Sequence, residues 1–136
     1  MTRRARCLAA LVGLGLLGTL VLASQLRPDA RGWGTHQQLG LPPCTLFVVA
    51  GVRCPACGMT TSWSYATRGQ MAAALRTHVG GTLLAVAAAL IGVAALVVAA
   101  SGKWLLRLPG ETAIIVVIVL AVAAMLGEWI VRLAAG

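Results

Sequence analysis

The stretch VGGTLLAVAAALIGVAALVVAAS, residues Val79–Ser101, contains no charged side chain and only two hydroxyl groups. About 20 apolar residues in a helix cross the roughly 30 Å of hydrocarbon in a bilayer. A charge at the centre of such a helix costs roughly 2.5 to 3.5 kcal/mol on insertion, so the absence of charge matters as much as the length. This stretch therefore predicts a transmembrane helix.

Two further apolar runs lie on either side of it, over residues 7–26 and 112–133. Of the 136 residues, 60% are hydrophobic and only 11 are basic and 3 acidic, which is too little charge to cover a soluble domain. The sequence predicts an all-α integral membrane protein, a single domain over residues 1–136 with three transmembrane helices. A turn at Pro109-Gly110 is expected to join the last two as an antiparallel hairpin.

The first run admits a second interpretation. It has a basic start and a Val-x-Ala ending at Ala23, which is also typical of a signal peptide covering residues 1–23. Its length favours a retained helix over a cleaved one. Both interpretations place the residues that follow outside the cell.

The net charge of +8 does not indicate a nucleic-acid partner, because the basic residues are scattered at the edges of the apolar runs instead of forming one polar face. They suit the interface with a lipid bilayer. Basic residues are densest in the short segments before the first run and between the second and third, so these segments and the amino terminus are predicted to be cytoplasmic. Those residues are Arg3, Arg4, Arg6, Lys103 and Arg107.

Two features near the helix ends have simple membrane explanations. Trp104 and Trp129 are expected in the aromatic belts at the interface. Glu128 and Arg132 stand four residues apart, so we expect an interfacial ion pair in preference to a proton or ion relay, which should lie deeper in the membrane.

The polar region between the first two spans divides into three parts. Residues 27–43 show neither helical nor strand period and predict a loop. Residues 44–58 carry three cysteines, and their apolar part is too short to span, so a re-entrant or interfacial segment is expected. Residues 59–76 have helical apolar spacing and predict an amphipathic helix, either on the membrane surface or packed against the transmembrane helices.

The cysteines of that region carry the possible chemistry. In CPACG, residues 54–58, Pro55 fixes φ and Gly58 permits a left-handed conformation, so the thiols of Cys54 and Cys57 can face one point. With Cys44 they could bind a metal such as zinc, with His78 or, as the alternative, His36 as fourth ligand.

The same thiols allow two other arrangements. They could form a redox pair in which Cys54, at a helix N-cap, attacks disulfides. They could equally form a structural disulfide that involves two of the three. The chain has no paired carboxylates, phosphate-binding glycine loop or nucleophile with a base and an orienting acid, so a non-enzymatic role is favoured.

The motif residues resemble a known family, the small bacterial membrane proteins of domain of unknown function 2752, over roughly residues 41–98. The resemblance rests on Pro43-Cys44, the string Cys54-Pro55-x-Cys57-Gly58-x-Thr60, Arg68-Gly69, and Ala74-Leu75 before an apolar helix. It implies a helical protein of the bacterial cytoplasmic membrane with the cysteine turn beside the bilayer, and it implies no established activity. Thr61 replaces the arginine usual in the family, and His78-Val79 replaces its usual Asn-Pro, which favours His78 as a ligand or cap.

The sequence thus predicts a membrane protein with a metal-binding or structural site at Cys44, Cys54, Cys57 and His78, in a turn shaped by Pro55, Gly58 and Thr60. One alternative is a membrane thiol–disulfide component with Cys54 and Cys57 on the extracytoplasmic side. Another is an assembly subunit that meets a membrane-protein partner through small residues of its helices, namely Gly13, Gly15, Gly18, Ala88 and Gly92. The oligomeric state is left open.

Overall fold

A computed structural model describes residues 2–103 and 110–135 of the chain, and 76% of these residues are helical. No strand occurs in these two ranges. A short 3-10 helix covers Thr35–Leu39. The α-helices are α1 (Arg3–Gln25), α2 (Thr45–Ala50), α3 (Met59–Thr67), α4 (Met71–Thr77), α5 (Val79–Ser101) and α6 (Glu111–Ala134).

Three of these helices are long and apolar enough to cross a membrane: α1, α5 and residues Thr112–Ala134 of α6. This confirms the predicted all-α membrane class with a cysteine-bearing segment between the first two spans. The first helix begins earlier than the apolar run, at Arg3, because the Thr2 hydroxyl accepts a hydrogen bond from the Ala5 N–H and caps it. The turn residue Pro109, the belt residue Trp104 and the flanking Arg107 lie outside the described residues.

The helices α1 and α5 pack closely in antiparallel directions, because glycines remove the side chains between them. A Cβ on Gly13 would lie 2.7 Å from Leu96, and one on Gly92 would lie 2.9 Å from Leu17. At the opposite end from the cysteines, Arg6 donates to the carbonyls of Ala99 and Ala100, at 3.0 and 3.3 Å. Gly13 and Gly92 therefore serve contacts within the chain.

The other two glycines predicted for helix contacts behave differently, since Gly15 and Gly18 have no atom within 4 Å of an added Cβ. The partner predicted for this small-residue surface stays a prediction. On its other side α5 meets α6, where a Cβ on Gly80 would lie 2.6 Å from the Ala121 carbonyl oxygen. The helix α5 thus lies between the other two spans.

The region predicted as one amphipathic helix over residues 59–76 is two helices, α3 and α4. The break falls at Gly69, whose φ of +75° is left-handed and ends the helix. The helix α3 packs against α1 and α5, as one of the two interpretations of this region expects. Its buried face consists of the small polar residues Thr61, Ser62 and Ser64, and Ser64 donates to the Leu26 carbonyl at 2.6 Å.

Candidate metal centre

Three sulfur atoms converge at the end of the helices where α1 ends and α5 begins. The Sγ atoms of Cys44, Cys54 and Cys57 all lie within 4.8 Å of one another, and those of Cys54 and Cys57 are 3.1 Å apart. Zinc binds thiolates tetrahedrally at about 2.3 Å, which separates sulfur ligands by about 3.8 Å. The three cysteines therefore fit a single metal ion with only small adjustments.

Cys54 and Cys57 are brought together by a tight turn, in which the Cys57 N–H donates to the Cys54 carbonyl at 3.0 Å. The turn closes at Gly58, whose φ is +103°, and a Cβ there would lie 2.9 Å from the Gly32 carbonyl oxygen. Both the backbone conformation and the close approach require glycine. The helix α3 begins only after this residue, so Cys54 does not occupy the N-cap that the redox hypothesis assigned to it.

Cys44 reaches the turn from the start of α2, which is only six residues long and has no buried residue. An aromatic contact holds α2 in place: the rings of Phe47 and Trp33 lie 4.6 Å apart. The guanidinium groups of Arg31 and Arg53 lie 4.8 and 5.3 Å from the Trp33 ring. Trp33 thus contacts Phe47 of α2 on one side and the two guanidinium groups on the other, which connects α2 to the preceding loop and to the residue before the cysteine turn.

The sulfurs differ in acidity. The Phe47 backbone N–H, together with the sulfurs of Cys54 and Cys57, stabilises the thiolate of Cys44 and lowers its pKa to about 7. Burial, with a smaller contribution from the neighbouring thiols, raises the pKa of Cys57 to about 12. Cys44 is therefore partly thiolate at neutral pH, whereas Cys57 needs a metal or another cation to lose its proton.

A cavity of about 240 Å³ adjoins the three sulfurs. Its wall includes His36, Thr60 and Thr61. The His36 Nε2 lies 3.2 Å from the Pro42 carbonyl oxygen, and the Thr61 hydroxyl is 2.7 Å from that of buried Thr35. Of the two histidines proposed as fourth ligand, His36 is thus the one that shares this cavity.

His78 lies elsewhere, fully buried as the N-cap of α5. Its Nδ1 accepts a hydrogen bond from the Gly81 N–H at 3.0 Å, so its Nε2 carries the proton and donates to the Pro55 carbonyl at 2.9 Å. The group of close ligand atoms among the described residues contains the three cysteines and not His78. The structure thus gives His78 a supporting contact to the turn and does not bring its nitrogens to the sulfurs.

Residues near the end of α6 also hold the turn, a role that the sequence did not indicate when it predicted a belt tryptophan and an ion pair there. The Trp129 indole donates to the Arg53 carbonyl at 2.7 Å. Arg132 donates to the Cys57 carbonyl at 3.2 Å and to the Thr77 carbonyl at 2.8 Å. Together with the bond from His78, three carbonyls of residues 53–57 are each bound by a side chain from outside the turn.

Glu128 completes this set on α6. Its Oε1 accepts from the Val79 N–H at 2.7 Å, and its Oε2 lies 3.2 Å from the His78 Nδ1. The expected pair with Arg132 is present only at 4.0 Å, so an interfacial ion pair describes these residues incompletely. We call Glu128, Trp129 and Arg132 the α6 clamp. The sequence signals at this place were the acidic residue that ends an apolar run, its spacing of four residues from Arg132, and a tryptophan near the helix end.

The fold and this site define a helical membrane protein with a three-cysteine cluster at one end of its spans. Residues 44–92 match the family described as "Protein of unknown function (DUF2752)", which confirms the resemblance seen in the motif residues. The matched range contains the three cysteines, the turn, His78 and the first half of α5. No curated protein and no solved structure matches the chain. The family description assigns no activity, so function has to be argued from the site.

Proposed function

We propose that the chain is a small integral membrane protein that binds one thiophilic metal ion, zinc, through Cys44, Cys54 and Cys57. The observation that carries this proposal is the convergence of three sulfurs, from two separate segments, within 4.8 Å. Soft thiolate ligands select zinc or copper(I) over hard cations such as magnesium.

A metal would supply stability that this region lacks. The helix α2 is short and exposed, and isolated helices of this length are unstable in water. Joining it to the turn through a metal would hold it against the rest of the protein, because the binding free energy adds to the free energy of folding. In this role the protein is not an enzyme.

We also propose that the site faces the extracytoplasmic side. Support comes from the distribution of charge: Arg3, Arg4 and Arg6 lie at the start of α1 and Lys103 follows the end of α5, at the opposite end of the spans from the cysteines. Basic residues in short flanking segments favour the cytoplasm.

The test is metal content per chain in protein purified in mild detergent without chelator or reductant. We expect about one zinc per chain in the wild type and its loss in Cys44→Ser, Cys54→Ser and Cys57→Ser. Cys7→Ser is the matched control, because Cys7 is exposed near the start of α1 and far from the cluster. Equal metal content in all five proteins would overturn the proposal.

A second candidate is thiol–disulfide exchange, favoured by the lowered pKa of Cys44 and the 3.1 Å approach of Cys54 to Cys57. A thiolate would attack a substrate disulfide and release one substrate thiolate, and a second cysteine would then displace the other, so that the protein becomes oxidised and the substrate reduced. The sequence suggests Cys54 as the attacking thiol. The lowered pKa of Cys44 makes Cys44 a second candidate for that role.

Single-cysteine variants separate this candidate from metal binding. Replacing the resolving cysteine, for example in Cys57→Ser, should trap a mixed disulfide with the substrate, seen as a reductant-sensitive mass increase. Normal accumulation of Cys44→Ser, Cys54→Ser and Cys57→Ser without any trapped species would exclude exchange.

A further inference from the structure

Three protein ligands leave one position of a tetrahedral metal unfilled, and Cys44, Cys54 and Cys57 themselves form part of the wall of the cavity beside them. Structural zinc sites are closed by four protein ligands, whereas sites that exchange ligands keep one position for water or an incoming group. The identity of the fourth ligand therefore separates a sealed structural site from one that can react with outside molecules.

Among the described residues, no acidic residue joins the three sulfurs as a fourth ligand. The chain has only three acidic residues. The Asp29 carboxylate accepts hydrogen bonds from Arg31 at 3.0 and 2.7 Å. Glu128 bonds to the Val79 N–H in the α6 clamp. Glu111 opens α6, about 25 Å along the helix axis from Glu128 at a rise of 1.5 Å per residue.

Neither histidine completes the cluster in its observed position. Both ring nitrogens of His78 are engaged, one with Gly81 and the other with Pro55. His36 lies in the cavity wall, and its Nε2 bonds to the Pro42 carbonyl. Among residues 2–103 and 110–135, the group of close ligand atoms at this site stops at three sulfurs.

The cavity has room for an additional ligand. Its volume is about 240 Å³, and a single water needs only about 10–15 Å³ of such space. Its wall next to the sulfurs carries the hydroxyl-bearing residues Thr60 and Thr61. The lining is mixed, since Ala56 and two glycines also contribute to it, and Thr60, Thr61 and His36 bring polar groups near a water or a small donor molecule.

We infer that the metal centre is open: Cys44, Cys54 and Cys57 hold the ion, and its fourth ligand is a water that an imidazole or thiol entering through the cavity replaces. This inference rests on the proposed metal binding. The exchange changes no oxidation state, since one neutral or anionic donor takes the place of water. A thiol donor would leave its proton with the released water or with solvent. Such a centre could pass its metal to, or take it from, another thiol-bearing molecule by ligand exchange.

The test uses the full chain in detergent micelles, loaded with Co²⁺ in place of zinc, with imidazole as the probe. Bands from thiolate-to-cobalt charge transfer report the sulfur ligands, and the ligand-field bands report the fourth position. We expect saturable imidazole binding that shifts the ligand-field bands while the thiolate bands remain. His36→Ala should give the same starting spectrum and Co²⁺ affinity as the wild type and the control Gln37→Ala, a neighbour on the same 3-10 helix.

The outcomes separate the two proposals. Loss of Co²⁺ affinity by tenfold or more in His36→Ala but not in Gln37→Ala, with no imidazole shift in the wild type, would mean a closed site of three cysteines and one histidine. That result would overturn the open centre and leave metal binding intact. Absence of thiolate bands in the wild type would overturn both.

Discussion

At the level of single residues, the pKa values of Cys44 and Cys57 are shifted in opposite directions although their sulfurs lie within 4.8 Å. An N–H at the start of α2 favours the thiolate of Cys44, whereas burial disfavours that of Cys57. The sequence predicted that Cys54 and Cys57 come together, because the CxxC spacing and Gly58 favour a tight turn. It could not predict their acidity, which depends on burial and on contacts between separate segments.

This difference predicts the order in which the metal-free thiols react with iodoacetamide. The thiolate is the reactive form, so alkylation of Cys44 should reach half its maximum rate near pH 7, the pH at which half of it is ionised. Cys57, with a pKa of about 12, should stay almost unmodified up to about pH 9. Peptide mass spectrometry after short exposures measures both rates. Faster modification of Cys57 than of Cys44 at neutral pH would contradict the assignment.

Gly58 offers a second prediction at a single position. Gly58→Ala places a side chain on a left-handed backbone and 2.9 Å from the Gly32 carbonyl oxygen, so it should disturb the turn and weaken zinc binding by at least tenfold. Gly69→Ala is the matched control, because its φ of +75° also places a side chain on a left-handed backbone, at a cost of about 1–2 kcal/mol, with nothing within 4 Å of the new Cβ.

Zinc affinity, measured by competition with a chromogenic chelator, distinguishes the two glycines. Equal affinity in Gly58→Ala and Gly69→Ala would show that contact with the preceding loop is unimportant for the site.

Among the helices, the α6 clamp connects a membrane helix to the segment that carries the three cysteines. Its contacts join residues far apart in sequence, such as Trp129 with Arg53 and Arg132 with Cys57. The sequence predicted the spans because apolar runs of about 20 residues match the thickness of the bilayer's hydrocarbon core. It missed the clamp because no local pattern reports a hydrogen bond between residues some 75 positions apart, as these are. The division of residues 59–76 into α3 and α4 was missed for a local reason, since the left-handed Gly69 outweighed the helical spacing.

The clamp predicts that distant changes on α6 weaken metal binding. Trp129→Phe keeps an aromatic side chain of smaller size and removes the indole N–H donor to Arg53, and Arg132→Gln removes the charged donor to Cys57. Loss of a group that hydrogen-bonds to and orients a metal-binding residue typically lowers metal affinity about 10- to 100-fold. We therefore expect each variant to bind zinc more weakly by a factor in this range. Arg76→Gln, an exposed arginine of α4, is the control and should bind zinc like the wild type.

Chelator competition at constant pH gives these affinities, and circular dichroism establishes that the variants keep their helices. Wild-type affinity in both clamp variants would mean that the turn is held by its own backbone and by His78.

Over the whole molecule, the antiparallel spans place two chemically different ends on opposite sides of the membrane. Side chains on the outer faces of the spans are apolar and exposed, as with Leu11 and Leu90, which are 67% and 68% accessible and suit contact with lipid. One end carries the basic start of α1, and the other carries the cysteines, His78 and the α6 clamp. The sequence predicted this separation because the order of the three spans puts the basic segments and the cysteine segment at opposite ends. The basic residues then indicated which end is cytoplasmic.

The proposed orientation predicts different labelling of two cysteines in intact cells. A variant retaining only Cys44 should react with a membrane-impermeant maleimide added outside, because the proposed orientation places the site on the extracytoplasmic side. A variant retaining only Cys7, at the start of α1, should react only after the membrane is permeabilised. The reverse pattern would place the cysteine site in the cytoplasm and contradict the distribution of basic residues as the determinant of orientation.

The proposed metal ion, held by three cysteines, would add to the mass of the intact protein. We would measure that mass on the full chain, released from detergent under native conditions without exposure to chelator or reductant. We expect a mass increased by one zinc ion less the protons that it displaces, returning to the mass of the free thiol chain in acid. A chain lighter by two hydrogens, restored only by reductant, would identify a disulfide and contradict the metal centre.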